Sequence, residues 1–274
     1  MEISRILVVG AGQMGAGIAQ VAATVGIDVL LSDVSHERAR SGFDRIANMI
    51  ARQVERGRMS QEACCGILDK ISAVESLDSG LEGVNMVIEA IVEDPHAKSE
   101  LWSGLARVCP PDAIFASNTS SISITAMARG SERPERFIGM HFMNPAPVMQ
   151  LVEVVRGLDT SDEVCDAVVG LTRRMGKTPV LVNDSAAFVV NRIAIPMINE
   201  AAYALMEGVA DSEGIDTCAK LGLNHPMGPL ALGDLIGLDT VVSILEVMTA
   251  ETGDPKYRPC PLLRRLVAAG RLGR

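Results

Sequence analysis

The sequence predicts an α/β fold, a mostly parallel sheet domain followed by a small all-helical one. Three observations predict it. In the first half, short apolar runs alternate with longer stretches of helical spacing, the pattern of βαβ units. A glycine-rich turn breaks the first strand from the first helix at residues 10–17. After about residue 184 the strand-like runs largely disappear and helical spacing takes over. The boundary falls near 183, giving domains of residues 1–183 and 184–274.

Element by element, Ile6–Val9 is a compact apolar strand, and a helix follows the turn to about Val25. Val29–Leu31 starts a second strand that ends at Asp33, and a long helix covers about 36–56. Val84–Ile91, Ala113–Ala116, Ile138–His141, Leu151–Val155 and Pro179–Val182 read as further strands, and Asp162–Met175 as a helix. Beyond the boundary, 186–206, 213–222, 235–250 and 262–269 have helical spacing, punctuated by Gly222 and His225-Pro226-Met227-Gly228-Pro229.

Composition narrows the function. With 25 Lys+Arg against 34 Asp+Glu the net charge is −9, so nothing general attracts nucleic acid or anionic lipid. Aromatics are 3%, too few for a base-stacking platform. The six cysteines (64, 65, 109, 165, 218 and 260) make no C-x-x-C pair and read as reduced thiols packed as small apolar groups. No apolar run reaches the length of a membrane span. Met1-Glu2-Ile3-Ser4-Arg5 runs straight into the first strand without the regions of a signal peptide. A cytoplasmic location is expected, with no membrane or nucleic-acid partner and no metal.

Gly10-Ala11-Gly12-Gln13-Met14-Gly15 is a G-x-G-x-x-G between a strand and a helix, and Asp33 closes the next strand 18 positions after Gly15. That context is what a Rossmann-type dinucleotide site requires. Gly10 makes the tight turn, Gly12 lets the backbone approach a pyrophosphate, and Gly15 lets helix and sheet pack. The helix N-terminus offers free N–H groups to the phosphates. A carboxylate at Asp33 accepts from the ribose hydroxyls of NAD and repels the 2′-phosphate of NADP; His36 and Arg38 nearby work against that discrimination. The competing reading is a glycine-rich turn with no ligand.

Histidine is scarce: 36, 96, 141 and 225. His141 ends an apolar run, and Glu153 lies inside the apolar strand Leu151–Val155, where a carboxylate is costly unless paired. A His with a buried Glu is a general acid–base arrangement, the Glu fixing the tautomer and stabilising the imidazolium. Spacing alone leaves a second reading open, a satisfied core His beside an unrelated Glu. Likewise Ser117-Asn118-Thr119-Ser120-Ser121 is either a polar cluster for an alcohol or carbonyl oxygen or a capping loop.

At these residues the sequence closely resembles the 3-hydroxyacyl-CoA dehydrogenase family, in particular its short bacterial members acting on 3-hydroxybutyryl-CoA. The resemblance runs from Ile6 to the C-terminus. Its blocks are residues 9–20, Glu89-Ala90-Ile91-Val92-Glu93, 117–121, His141-Phe142-Met143-Asn144-Pro145, Leu151-Val152-Glu153-Val154, Phe188-Val189-Val190-Asn191-Arg192 and residues 225–229. The resemblance implies NAD-dependent, reversible oxidation of an (S)-3-hydroxyacyl-CoA, with His141 as acid–base and Glu153 as the residue that orients it. Ser120 and Asn191 become donors to the substrate's C3 oxygen, in a cleft between the domains. Gly10, Gly12, Gln13, Met14, Gly15, Asp33, Glu93, Lys98, Ser120 and Asn144 become cofactor-binding positions. A homodimer through the helical domain is implied as well.

Coenzyme A is a multiply charged anion, and the helix after Asp33 supplies local charge. Between 37 and 58 six arginines stand against Glu37, Asp44 and Glu55; Arg38, Arg45, Arg52 and Arg56 share one stripe, opposite Phe43, Ile46, Ala47, Ile50 and Val54. The stripe is either a solvated face or a CoA contact, and the resemblance favours Arg52 and Arg56 as contacts. Two departures from the family stand out. Ala186-Ala187 replace the usual Pro-Gly before Phe188, which lets the helix start earlier. A tail of Lys-Thr-Gly-x-Gly-Phe-Tyr type, whose lysine helps bind ligand, does not follow Gly273-Arg274. Two rival readings are a same-fold dehydrogenase of a sugar acid (gulonate-type), for which the stripe would be idle, and a non-catalytic NAD-binding protein.

Overall fold

The computed structural model describes residues 2–74, 77 and 80–274. The chain divides into two compact units, Met1–Asp184 and Ser185–Arg274.

The first unit runs β1 (Arg5–Val9), α1 (Gln13–Thr24), β2 (Asp28–Ser32), α2 (His36–Glu55), α3 (Gln61–Leu68), β3 (Ile71–Ala73), β4 (Met86–Glu89), α4 (Pro95–Val108), β5 (Ile114–Ser117), α5 (Ile124–Ala128), β6 (Phe137–Phe142), β7 (Leu151–Arg156), α6 (Asp162–Arg174) and β8 (Thr178–Asn183). The described strands form one sheet in the order β3-β2-β1-β4-β5-β6-β7-β8. Every neighbouring pair is parallel except β6 with β7, an antiparallel pair in which His141 faces Glu153. The central strands are buried on both faces, as crossover helices demand. Ile6, Val8, Ile88 and Ala116 pack with Ile18 of α1, Ile46 of α2 and Val168 of α6. Strand alternation puts Leu7, Val87 and Phe115 on the opposite side. There Trp102 of α4 stacks on Phe115 at 5.0 Å and meets Phe137 edge-on at 4.9 Å.

Order reverses at β1 and β4, so the loops after their carboxyl ends diverge and leave a crevice, the usual ligand position of such sheets. Short polar residues start the flanking helices. Ser35, Ser60, Asp94 and Ser161 each accept an N–H of the first turn, from Arg38, Ala63, Ala97 and Val164.

The second unit contains α7 (Val190–Met206), α8 (Ser212–Gly222), α9 (Pro229–Ile236), α10 (Leu238–Thr252) and α11 (Pro261–Ala268). Ile195, Ile198 and Ala202 of α7 pack with Val241, Leu245 and Met248 of α10 and with Leu263 of α11. Asp216 of α8 accepts the N–H groups of Leu230 and Ala231, which holds the start of α9 after the His225–Pro229 cluster.

Four expectations need correction. Helix α7 starts at Val190, not at 186, and Ala186-Ala187 do not extend it. Ala187 (φ 61°) and Phe188 (φ 52°) both lie in the left-handed region, which ends helical backbone and costs a side-chain-bearing residue about 1–2 kcal/mol. Buried Ala187 thus holds the conformation for which the family's glycine is suited. The segment 235–250 is not one helix, because Gly237 at φ 101° separates α9 from α10. The strand expected over 84–91 is confined to Met86–Glu89. The second strand ends at Ser32, and Asp33 stands just beyond it. The sequence reading also passed over α3, β3, α4 and α5.

All six cysteines are free; Cys64, Cys109, Cys165 and Cys260 are buried, while Cys65 and Cys218 are exposed. Burial pushes the Cys109 thiol up to about 11, against the opposing pull of Arg133. No described helix is long and apolar enough to cross a membrane.

Candidate active site

The glycine turn is held from both sides. Gly10 has φ 100°, and a Cβ there would lie 2.4 Å from the Ala90 carbonyl oxygen. A Cβ on Gly15 would lie 1.7 Å from the Gly10 carbonyl oxygen, so helix α1 can sit this close to the turn only without one. Gly12 is different: its Cβ would meet nothing within 4 Å. Backbone fit does not demand a glycine there, and the space in front of it is open. Gly12 is also the N-cap of α1 and offers no side-chain acceptor, so the first-turn N–H groups are left for an anion.

Asp33 is tied to this turn. Its carboxylate accepts from the Ala11 N–H at 2.7 Å and from the Val34 N–H at 2.7 Å. A cavity of about 510 Å³ lies against these residues, lined by Gly10, Gly12, Asp33, Arg38, Ile91 and Leu101 among others. The open space at Gly12, the uncapped helix start and a fixed carboxylate beside an apolar cavity fit the pyrophosphate, ribose and adenine of a dinucleotide. On the other side of the turn, Gln13 Nε2 donates to Asn144 Oδ1 at 3.0 Å, while Met14 is half-buried.

The acid–base pair is formed by the sheet itself. Antiparallel pairing of β6 and β7 sets His141 opposite Glu153, and His141 Nδ1 lies 2.8 Å from Glu153 Oε2. Both are buried, Glu153 at 1% exposure. A carboxylate only accepts, so it holds the imidazole proton on Nδ1 and leaves Nε2 with its lone pair. Nε2 points to Ser120 Oγ, 3.2 Å away. The structure thus brings together Ser120 from the loop after β5, His141 from β6 and Glu153 from β7.

Ser120 sits in a loop gripped by Glu93. One oxygen of Glu93 accepts from Thr119 Oγ1 at 2.5 Å, from the Ser120 N–H at 2.9 Å, and from the N–H and Oγ of Ser121 at 3.2 Å each. The other oxygen lies 3.3 Å from Lys98 Nζ. Burial pushes the Glu93 carboxyl up, but the Lys98 ammonium and the Thr119 and Ser120 donors outweigh it and hold it below the ordinary value of 4.5. A lowered carboxyl stabilises the fold above its unfolded value. That contribution goes only as pH falls through the lower folded value, so the grip is intact throughout the neutral range. Lys98 is almost wholly buried and pairs with Glu89 as well as Glu93. Glu89 itself, fully buried at the end of β4, was quoted in a sequence block but given no role. A charged residue closing an apolar strand was the available signal.

Arg52 is exposed on the last turn of α2, and Arg56 is exposed just past its end. Arg52 stands 16 residues beyond His36, about 24 Å along the helix axis from the Asp33 end. Asn191 is the second residue of α7, in the second unit. Among the described residues no cluster of three or more His, Cys, Asp or Glu is placed to hold a metal ion.

These features have counterparts among known proteins. The model of the 3-hydroxyacyl-CoA dehydrogenase NAD binding domain matches residues 5–185, and that of the family's C-terminal domain matches residues 188–274. The chain belongs to the 3-hydroxyacyl-CoA dehydrogenase family. It is 54% identical over 274 residues to a probable 3-hydroxybutyryl-CoA dehydrogenase of Bacillus subtilis, covering 100% of this chain and 95% of the relative. A 3-hydroxybutyryl-CoA dehydrogenase of Bradyrhizobium diazoefficiens is 51% identical over 272 residues, with 99% and 92% covered. Among solved structures, the (S)-3-hydroxybutyryl-CoA dehydrogenase of Ralstonia eutropha superimposes with a TM-score of 0.97 at 46% identity, covering 100% of this chain and 96% of the other. As a 3-hydroxyacyl-CoA dehydrogenase the chain is an oxidoreductase with an NAD-binding domain, and its Ser120–His141–Glu153 set stands at the carboxyl side of that domain's parallel strands.

Proposed function

We propose that this enzyme catalyses the reversible oxidation of (S)-3-hydroxybutyryl-CoA to acetoacetyl-CoA, with NAD as the hydride acceptor. The observation that carries the reading is the His141–Glu153 pair, in which His141 Nε2 faces the Ser120 hydroxyl. The names and identities of the relatives support the substrate. In the forward direction, neutral His141 accepts the C3 hydroxyl proton on Nε2 while the C3 hydrogen leaves as hydride. Glu153 stabilises the resulting imidazolium without taking its proton. Ser120 Oγ, and Asn191 by family resemblance, donate to the C3 oxygen as it becomes a carbonyl. In reduction the imidazolium returns the proton. The cofactor, when bound, supplies the hydride chemistry; the protein supplies position and charge.

Asp33 supports NAD over NADP, since its fixed carboxylate accepts ribose hydroxyls and repels a 2′-phosphate. Glu93, Lys98 and Asn144 are assigned to the nicotinamide side of the cofactor, Lys98 acting through Glu93. The reading extends to a cytoplasmic homodimer formed through the helical unit, where Ile193, Val209, Leu221 and Leu223 are exposed. Turnover of acetoacetyl-CoA, followed at the nicotinamide absorbance, tests the function. Consumption of NADH with higher kcat/KM than NADPH is expected; inactivity with acetoacetyl-CoA, or a preference for NADPH, overturns it.

Two variants separate the binding surfaces. Gly12→Ala has room for its methyl group and an ordinary φ of −67°, so it is expected to fold as wild type. The methyl fills space meant for phosphate, and the Kd for NADH should rise about tenfold or more, an about 1.4 kcal/mol loss; an unchanged Kd in a fluorescence titration refutes it. Replacing Arg52 and Arg56 together with Ala should raise KM for acetoacetyl-CoA about tenfold while kcat stays within about twofold, because phosphate contacts far from C3 give uniform binding. Unchanged KM at low salt would leave the stripe a solvated face.

A further inference from the structure

We propose that Glu89, a buried carboxylate outside the acid–base pair, is a positioning residue that sets the Ser120 hydroxyl against His141. This rests on the reading of Ser120 and His141 as the groups that handle the C3 oxygen and its proton.

Glu89 is the last residue of β4, beside the point where strand order reverses, and it is fully buried. A carboxylate there is costly unless every lone pair is used. Oε1 accepts from the Ile91 N–H at 2.8 Å and from Lys98 Nζ at 2.5 Å; Oε2 accepts from Ser117 Oγ at 2.6 Å. Two arms lead from it to the same loop. The first is charged: Lys98 bridges Glu89 to Glu93, and Glu93 grips the Thr119, Ser120 and Ser121 donors. The second is neutral: Ser117 Oγ, donating to Glu89, accepts the Thr119 N–H at 3.3 Å. The Glu89 main chain adds a third tie, its carbonyl accepting the Asn118 N–H at 2.8 Å.

The position of this loop matters because it carries the Ser120 hydroxyl. Ser120 follows the last paired residue of β5 by only three positions, and the hydroxyl must meet Nε2 within a few tenths of an ångström to share a proton-transfer geometry. Lys98 carries one charge against two carboxylates. If Glu89 is neutralised, Glu93 becomes the ammonium's only charged partner among those described here, and the oxygen that grips the loop is drawn toward Lys98. The loop then loses its place without losing any residue that touches substrate.

The test is a double-mutant cycle in kcat at saturating NADH and acetoacetyl-CoA, using Glu89→Gln, Ser120→Ala and the double variant. Glu89→Gln keeps the side-chain size and removes the charge. It should lower kcat about tenfold in the wild type, yet less than about twofold when Ser120 is already Ala, because groups acting as a unit are not additive. KM for acetoacetyl-CoA should stay within about twofold in Glu89→Gln. Equal losses in both backgrounds would make Glu89 a structural group and overturn the proposal while leaving the Ser120 reading intact. A wild-type kcat in Ser120→Ala would overturn that reading, and the proposal with it. Should Glu89→Gln fail to fold, Ser117→Ala cuts the neutral arm without unbalancing charge. The same cycle then applies: a kcat loss that disappears in the Ser120→Ala background supports the proposal, and one that persists there, or no loss at all, overturns it.

Discussion

His141→Ala is expected to reduce kcat by about 10³-fold in both directions while NADH binds as in wild type. Removing the group proposed to exchange the C3 hydroxyl proton leaves water to do so, and positioned acid–base groups contribute about 10²–10⁴-fold. The fold should survive, because His141 lies next to the last residue of β6 rather than at the strand's middle. Cofactor affinity should survive too, since the glycine turn, Asp33 and the adjoining cavity are built at the ends of β1, β2 and β4 and on α2 and α4 rather than on β6. Steady-state kinetics beside a fluorescence titration with NADH check both halves. A loss of NADH affinity matching the loss of kcat would mean that His141 holds the site together instead of moving a proton.

Glu153→Gln carries the second large effect. An amide in place of the carboxylate keeps the volume in this buried spot but can present an N–H toward Nδ1. The imidazole then turns to the other tautomer, with its proton on Nε2 and no lone pair for the hydroxyl. The imidazolium also loses its counter-charge. A fall in kcat of about 10²-fold is expected, with KM for acetoacetyl-CoA nearly unchanged, because the interaction is made chiefly in the transition state. Kinetics superimposable on wild type would remove Glu153 from the mechanism.

Much of this was legible in the sequence because it is local or periodic. The glycine turn between β1 and α1 is fixed by short-range backbone chemistry, and Ile6–Val9 and Ala113–Ala116 are short apolar runs bounded by turn signals, the pattern of a buried strand. His141 and Glu153 were legible as a pair only with the family resemblance, since twelve residues separate them and spacing alone says nothing of strand direction. The antiparallel register is a tertiary fact that places them face to face. The start of α7 was misread for a related reason. Nothing in the alanines at 186 and 187 announces left-handed backbone; tertiary packing imposes it on a residue that tolerates it poorly. Glu89 and Lys98 escaped as a functional unit because their meaning lies in what they touch. An acidic residue ending a strand and a lysine in the next helix are ordinary until both prove buried and paired.

The antiparallel pairing of β6 with β7 also bears on how the enzyme assembles. Each parallel neighbour in this sheet must wait for a crossover to close, so its pairing spans a longer stretch of chain than that between Phe142 and Val152. Loop-closure entropy favours the short connection first. Histidine and glutamate would then meet during an early hairpin step, while the serine hydroxyl and the nucleotide crevice await the slow crossovers. In pulse-labelled hydrogen exchange during refolding, amides of the His141–Glu153 ladder should gain protection ahead of those joining β1 to β4. A molecule halted between those stages would own its proton carrier before it had anywhere to put a substrate.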